Sequence, residues 1–145
     1  MEIDYIIYTD GSYRSSRKQG GYSAVICDKD YNILFSTFKG VKYTTNNRME
    51  LSGFISALRS VPEGSHVKIV SDSEYVLKPL TLGWLDKWVK EDFADRKNID
   101  LWKIVVELLP KYSIIYEWTK GHASSDLNNL ADTLAQHASM IDLNI

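Results

Sequence analysis

The sequence is short of the devices that hold many small proteins together. Its 145 residues include one cysteine, Cys27, so neither an internal disulfide framework nor a CxxC metal site is available. Three prolines and eight glycines leave no linker rich in either and no low-complexity tract. No apolar run reaches the roughly 18 residues that span a bilayer. The start, Met1-Glu2-Ile3-Asp4-Tyr5, lacks the basic-then-apolar order of a signal peptide, so a cytoplasmic protein is expected. There is no excess of positive charge: Lys plus Arg is 17, Asp plus Glu is 19, and the net charge is −2. A wholesale cationic coat is therefore excluded, although a local basic patch is not. What is present, 44% hydrophobic and 25% charged residues, is ordinary for one globular domain spanning 1–145.

Residues 3–9 are β-branched and aromatic and read as a strand ending at Asp10-Gly11-Ser12. Segments 21–28 and 32–41 read as two further strands around the turn Asp28 to Asn32, which together make an antiparallel meander. After Thr44-Thr45-Asn46-Asn47 the period becomes helical, with Met49, Phe54, Ala57, Leu58 and Val61 on one stripe. Val67 to Val70 is a buried strand followed by Ser71-Asp72. Residues 73–96 are helical but broken at Pro79 and Gly83, and 99–109 form an amphipathic helix closed by Pro110. Ser113 to Trp118 is a fifth strand, 121–126 a loop and 127–139 a last helix whose Ala131, Ala135 and Ala138 form a small face. The order βββαβααβα predicts an α/β fold with a mixed five-stranded sheet flanked by helices.

Four acids stand where packing alone would not place them. Asp10 and Asp72 terminate apolar strands, Glu50 lies early in the first helix, and Asp132 interrupts Leu130, Ala131, Leu134 and Ala135. Each has an ordinary explanation: Asp10 a turn former, Glu50 a favourable helix-start charge, Asp72 an N-cap. Together, without matching Lys or Arg, they would repel one another unless a hard divalent cation lay between them. Oxygen-only ligands favour Mg²⁺ or Mn²⁺ over Zn²⁺. Two such ions are the usual device for in-line phosphodiester cleavage.

The strings that carry these acids are Thr9-Asp10-Gly11-Ser12, Thr44-Thr45-Asn46-Asn47-Arg48-Met49-Glu50-Leu51, Ser71-Asp72-Ser73-Glu74-Tyr75-Val76 and Lys120-Gly121-His122-Ala123, with Asp132 ten residues after the histidine. In order and spacing the chain resembles bacterial-type (type 1) ribonuclease H from about residue 3 to 139. The resemblance implies an endoribonuclease that hydrolyses the RNA strand of RNA–DNA hybrids by a two-metal-ion mechanism, leaving 5′-phosphate and 3′-hydroxyl ends. It implies that Asp10, Glu50, Asp72 and Asp132 ligate two Mg²⁺ ions, with Mn²⁺ able to substitute. Asp10 would touch both ions, and His122 would assist proton transfer or product release. His66 and His137 match no motif and read as structural.

Recognition of a hybrid needs detection of 2′-hydroxyls, for which donor-and-acceptor amides are suited. Asn46 and Asn47 are the candidates, unless they only cap the helix. By resemblance the backbone of Gly11 and Ser12 and the side chain of Glu74 join them, and Thr45 and Asn98 hold a DNA-strand phosphate. Trp84 and Trp88 share a helix face and by that spacing read as core, whereas the resemblance implies that they line a channel for the DNA strand; Trp102 and Trp118 read as core. Residues 11–49 carry seven basic side chains against two acidic ones, whereas the last twenty carry three acids and no Lys or Arg. That asymmetry suits contact with a nucleic-acid backbone on one face.

Two departures concern the substrate. Segment 84–98, where the resembled family carries a basic protrusion, balances Lys87, Lys90, Arg96 and Lys97 with Asp86, Glu91, Asp92 and Asp95, which implies weaker hybrid binding. Glu74 stands where glutamine is common. The competing readings are a non-catalytic hybrid-binding module, disfavoured because none of the four acids is missing, and another two-metal nuclease such as a resolvase. The expectation is a monomer that acts alone on hybrid duplexes, without membrane or protein partner.

Overall fold

A computed structural model describes residues 2–120 and 126–143. Strands β1 (Tyr5–Arg14), β2 (Gln19–Cys27) and β3 (Ile33–Lys42) precede helix α1 (Asn46–Arg59) and strand β4 (His66–Ser71). Helices α2 (Glu74–Thr81), α3 (Trp84–Lys90) and α4 (Ile99–Leu108) follow, then β5 (Ser113–Trp118) and α5 (Asp126–Ala138). The sheet runs β3-β2-β1-β4-β5. Its first three strands are antiparallel, and β4 pairs in parallel with both β1 and β5. The expected mixed sheet is therefore present; the segment read as one broken helix is two separate helices.

Both faces of the sheet are covered, which is why the central strands are nearly continuous apolar runs. Ile7, Ala24, Ile26, Val67 and Ile69 pack under α1 and α4 with Leu51, Phe54, Leu58 and Trp102. On the other face Ile6, Tyr8, Val25, Cys27 and Val70 pack against Ala131 of α5. Full burial of each large apolar side chain is worth about 1.5–3 kcal/mol. The alanine face of α5 works as the sequence implies. Ala131, Ala135 and Ala138 are completely buried, and α5 lies so close to β2 that a Cβ on Gly21 would stand 2.6 Å from that of Ala138.

Two boundaries differ from expectation for physical reasons. Strand β1 does not end at Asp10-Gly11-Ser12 but continues to Arg14, because β2 pairs with it from Ile6 to Arg14. Only its parallel pairing with β4 stops early, at Tyr8–Val70, so Asp10 lies beyond the end of one ladder while remaining inside another. Pro79 does not break α2; the interruption falls at Gly83, whose φ of +80° is a left-handed conformation suited to glycine.

Candidate active site

The parallel ladders end where the acids begin. Asp10 follows the last β1–β4 pair, and Asp72 follows Ser71, the last residue of β4. Glu50 is carried by α1, whose start is fixed by Thr45: this side chain accepts from the Arg48 N–H at 3.2 Å as an N-cap. The β1 backbone then approaches α1 so closely that a Cβ on Gly11 would lie 2.5 Å from the Glu50 nitrogen. One oxygen from each of Asp10, Glu50 and Asp72 falls within 4.8 Å of the others. Asp132 approaches from α5, near enough to act on both Asp10 and Asp72. Its own Oδ2 accepts from Gln136 Nε2 at 3.0 Å, one helical turn on.

The electrostatics are those of uncompensated acids. Asp10 is 6% and Glu50 9% exposed. Burial, then the charges of Glu50 and Asp72, push the Asp10 carboxyl up to about 10. Burial and Asp72 push Glu50 up to about 8, against the opposing effect of hydrogen bonds that include Gly11 and Ser73. Burial and Asp132 raise Asp72 as well. The Gly11 N–H donates to Asp10 Oδ1 at 2.9 Å, which holds that carboxylate in place without neutralising it. Among the described residues, no Lys or Arg forms an ion pair with Asp10, Glu50 or Asp72. An all-oxygen, like-charged cluster of this kind fits a hard divalent cation.

The surroundings sort the remaining candidates. Asn46 and Asn47 lie exposed in the first turn of α1, and because Thr45 is the cap, their amides make no side-chain hydrogen bond among the described residues. Glu74 opens α2, exposed and paired with Lys78 at 3.2 Å. Asn98, in a left-handed conformation, is committed to its neighbours: its Oδ1 accepts from Arg48 Nη1 at 3.3 Å and its Nδ2 donates to the Tyr75 hydroxyl at 2.9 Å. The Trp102 indole N–H donates to that same hydroxyl, while Arg48 grips both oxygens of Asp100. Arg48 thus joins Thr45 to Asn98, a link that neither residue type announces in the sequence.

Trp84 and Trp88 divide the two roles between them. Trp88 is buried edge-on against Trp102, with ring centroids 5.4 Å apart, whereas Trp84 is exposed. Both, with Lys87 and Arg96, line a groove of about 330 Å³ in which the Arg96 guanidinium lies 4.7 Å from the Trp88 ring centre. Trp102 is core as expected, but Trp118 is not: it is 51% exposed, because β5 is an edge strand and Trp118 its last residue. Gly11 and Ser12 lie half-buried beside Asp10. His122 lies outside the described residues.

The RNase H family profile matches residues 2–140. A ribonuclease H of Helicobacter acinonychis is 40% identical over 130 residues, 90% of this chain and 89% of that protein. One of Chlorobium luteolum is 37% identical over 143 residues, 95% of this chain and 97% of that protein. A foamy viral protease–reverse transcriptase, solved in complex with an RNA/DNA hybrid, superposes with a TM-score of 0.78 at 25% identity, over 96% of this chain and 20% of that one. With these matches running the length of a fold whose acids converge as described, the chain belongs to the RNase H family, and is a ribonuclease H hydrolase.

Proposed function

We propose that this protein hydrolyses the RNA strand of RNA–DNA hybrids, cutting internally and leaving 5′-phosphate and 3′-hydroxyl ends. The observation that carries the reading is the convergence of Asp10, Glu50 and Asp72 within 4.8 Å at the end of the parallel ladders. Asp132, acting on Asp10 and Asp72 from α5, joins this set. These four side chains would hold two Mg²⁺ ions, or Mn²⁺ in their place, with Asp10 shared between them. Such ions, when bound, supply an activated water and offset charge on the leaving oxygen.

The rest of the work belongs to the chain's own residues. The Gly11 N–H orients Asp10. Asn46 and Asn47 present their amides about one turn before Glu50, able to donate to and accept from 2′-hydroxyls across the minor groove. The backbone of Gly11 and Ser12 and the side chain of Glu74 extend that contact. Thr45 and Asn98, joined through Arg48, face a DNA-strand phosphate, with the Trp84–Trp88 groove receiving the sugars beyond it. His122 moves a proton or releases product. Among the described residues, no helix is long and apolar enough to cross a membrane.

The test uses one labelled RNA strand, presented alone, paired with DNA and paired with RNA, in Mg²⁺ and in Mn²⁺. Cutting of the DNA-paired strand only is expected. Hybrid that is bound but uncut in both metals would favour the non-catalytic module, and equal cutting of RNA–RNA duplex would refute hybrid specificity.

A further inference from the structure

Glu74, Leu77, Lys78 and Thr81 recur at helical spacing and form one face of α2. Opposite them stand Tyr116 and Trp118, two apart and therefore on one face of β5. Between the two elements lies a cleft of about 280 Å³ lined by these six residues. Its wall is apolar and aromatic, with Leu77 buried, Tyr116 half-buried and Trp118 exposed. At its rim the Glu74 carboxylate and the Lys78 ammonium stand 3.2 Å apart. The cleft is tied to the main chain that carries Asp72: Trp118 Nε1 donates to the Asp72 backbone carbonyl at 3.2 Å, and only Ser73 separates Asp72 from Glu74.

We propose that this cleft takes one unpaired nucleobase of the strand being cut, stacked on Trp118; the inference rests on the hybrid-cutting reading above. The volume lies just under the roughly 300–1,000 Å³ of drug-sized ligand pockets, which suits a single base rather than a dinucleotide. An indole at the end of an edge strand is a stacking platform that accepts any base. The rim does not favour phosphate, because Lys78 and Glu74 offset each other's charge while each keeps hydrogen-bonding capacity to spare. It offers instead an acceptor beside a donor, the complement of a Watson–Crick edge, which only an unpaired base leaves free. Because the Trp118 indole is anchored to the Asp72 main chain, the strand nearest the cleft is the one that lies over the carboxylates, and the occupant comes from it. The preferred substrate is then a hybrid whose RNA strand runs on as a single strand, not a blunt duplex.

Binding is measured with the Asp10→Asn protein in Mg²⁺, so that RNA is held uncut. The hybrids are blunt, or carry one unpaired 2-aminopurine ribonucleotide on the 5′ or the 3′ end of the RNA, or one unpaired nucleotide on the DNA strand. One of the two RNA overhangs is expected to bind about fivefold to tenfold tighter than the blunt hybrid, with its 2-aminopurine fluorescence quenched. In Trp118→Leu, combined with Asp10→Asn, that ratio falls to about one; Trp118→Phe keeps much of it, because a ring remains. Equal binding of all four hybrids, a preference that survives Trp118→Leu, or a gain from the DNA overhang alone would overturn the proposal. Because binding is read separately from cutting, a wild-type enzyme that cuts blunt hybrid but ignores overhangs refutes only this inference. Failure to cut any hybrid refutes the reading beneath it.

Discussion

Gly11 and Glu50 meet backbone to backbone: a Cβ on Gly11 would lie 2.5 Å from the Glu50 nitrogen, 2.6 Å from the Met49 carbonyl carbon and 2.9 Å from Glu50 Oε1. The two nearest of these atoms are main-chain atoms of α1, which cannot swing aside as a side chain can, so a methyl group there must push α1 away from β1, separating Glu50 from Asp10. Gly11→Ala is therefore expected to lower kcat by at least about 100-fold, as misplacement of catalytic groups by an ångström does. Overpacking should also cost about 1–3 kcal/mol. Paired kinetic and thermal-unfolding measurements check both, and near-wild-type activity in the variant would contradict the geometry.

The raised carboxyls make the metal-free protein sensitive to alkali. Asp10 titrates near 3.8 when unfolded and about 10 when folded, and Glu50 shifts from 4.5 to about 8. Across those windows the native state binds more protons than the unfolded one, so stability falls as pH rises. In chelator, the Tm should drop steadily between about pH 5 and 9. Mg²⁺ should restore it, and by more at pH 9 than at pH 6, since binding then displaces fewer protons. Asp10→Asn should flatten the chelator curve. A Tm profile identical in wild type and Asp10→Asn would show that these acids are not strained.

Arg48 is expected to act through its neighbours. Its guanidinium holds both oxygens of Asp100, at 3.0 and 2.8 Å, and reaches Asn98 at 3.3 Å. Lysine cannot reproduce that fork. Arg48→Lys should raise KM for hybrid about threefold to tenfold with little loss of kcat, and should cost no more than about 1 kcal/mol of stability, because the pair is partly exposed. A change confined to kcat would contradict the placement of Thr45 and Asn98 on a phosphate.

The balanced charge of segment 84–98 should be adjustable. Lys87 is held 3.9 Å from Glu91, beside the Trp84–Trp88 groove that Lys87 and Arg96 line. Glu91→Lys should lower KM about threefold in 50 mM salt, with the gain shrinking by 200 mM, if this surface contacts phosphates. An unchanged KM at low salt would place the hybrid elsewhere.

The sheet and four of the strand assignments could be read from residue type and period, because apolar patterning and N-cap chemistry are local, whereas each acid taken singly had an ordinary explanation and only the motif strings joined them. What was hidden depended on neighbours distant in sequence. Asp10 looked like a strand terminus because pairing with β4 does stop at Tyr8, yet β2 carries the strand on to Arg14. Pro79 looked like a helix break, but α2 continues through it. Trp118 sits in a strongly periodic segment that reads as core, and only the sheet order shows that its strand is an edge. The Arg48–Asn98–Tyr75 connection spans three helices and has no signature in spacing.

The most direct measurement compares wild type with Asp10→Asn on a labelled RNA–DNA hybrid, in Mg²⁺ and in chelator, with binding recorded alongside cutting. Wild type should cut only with metal, and Asp10→Asn should bind the hybrid but cut at least about 100-fold more slowly, since it lacks the carboxylate that we propose would serve both ions. Cutting by wild type in chelator, or at an undiminished rate by Asp10→Asn, would contradict the assignment of these carboxylates as the catalytic centre.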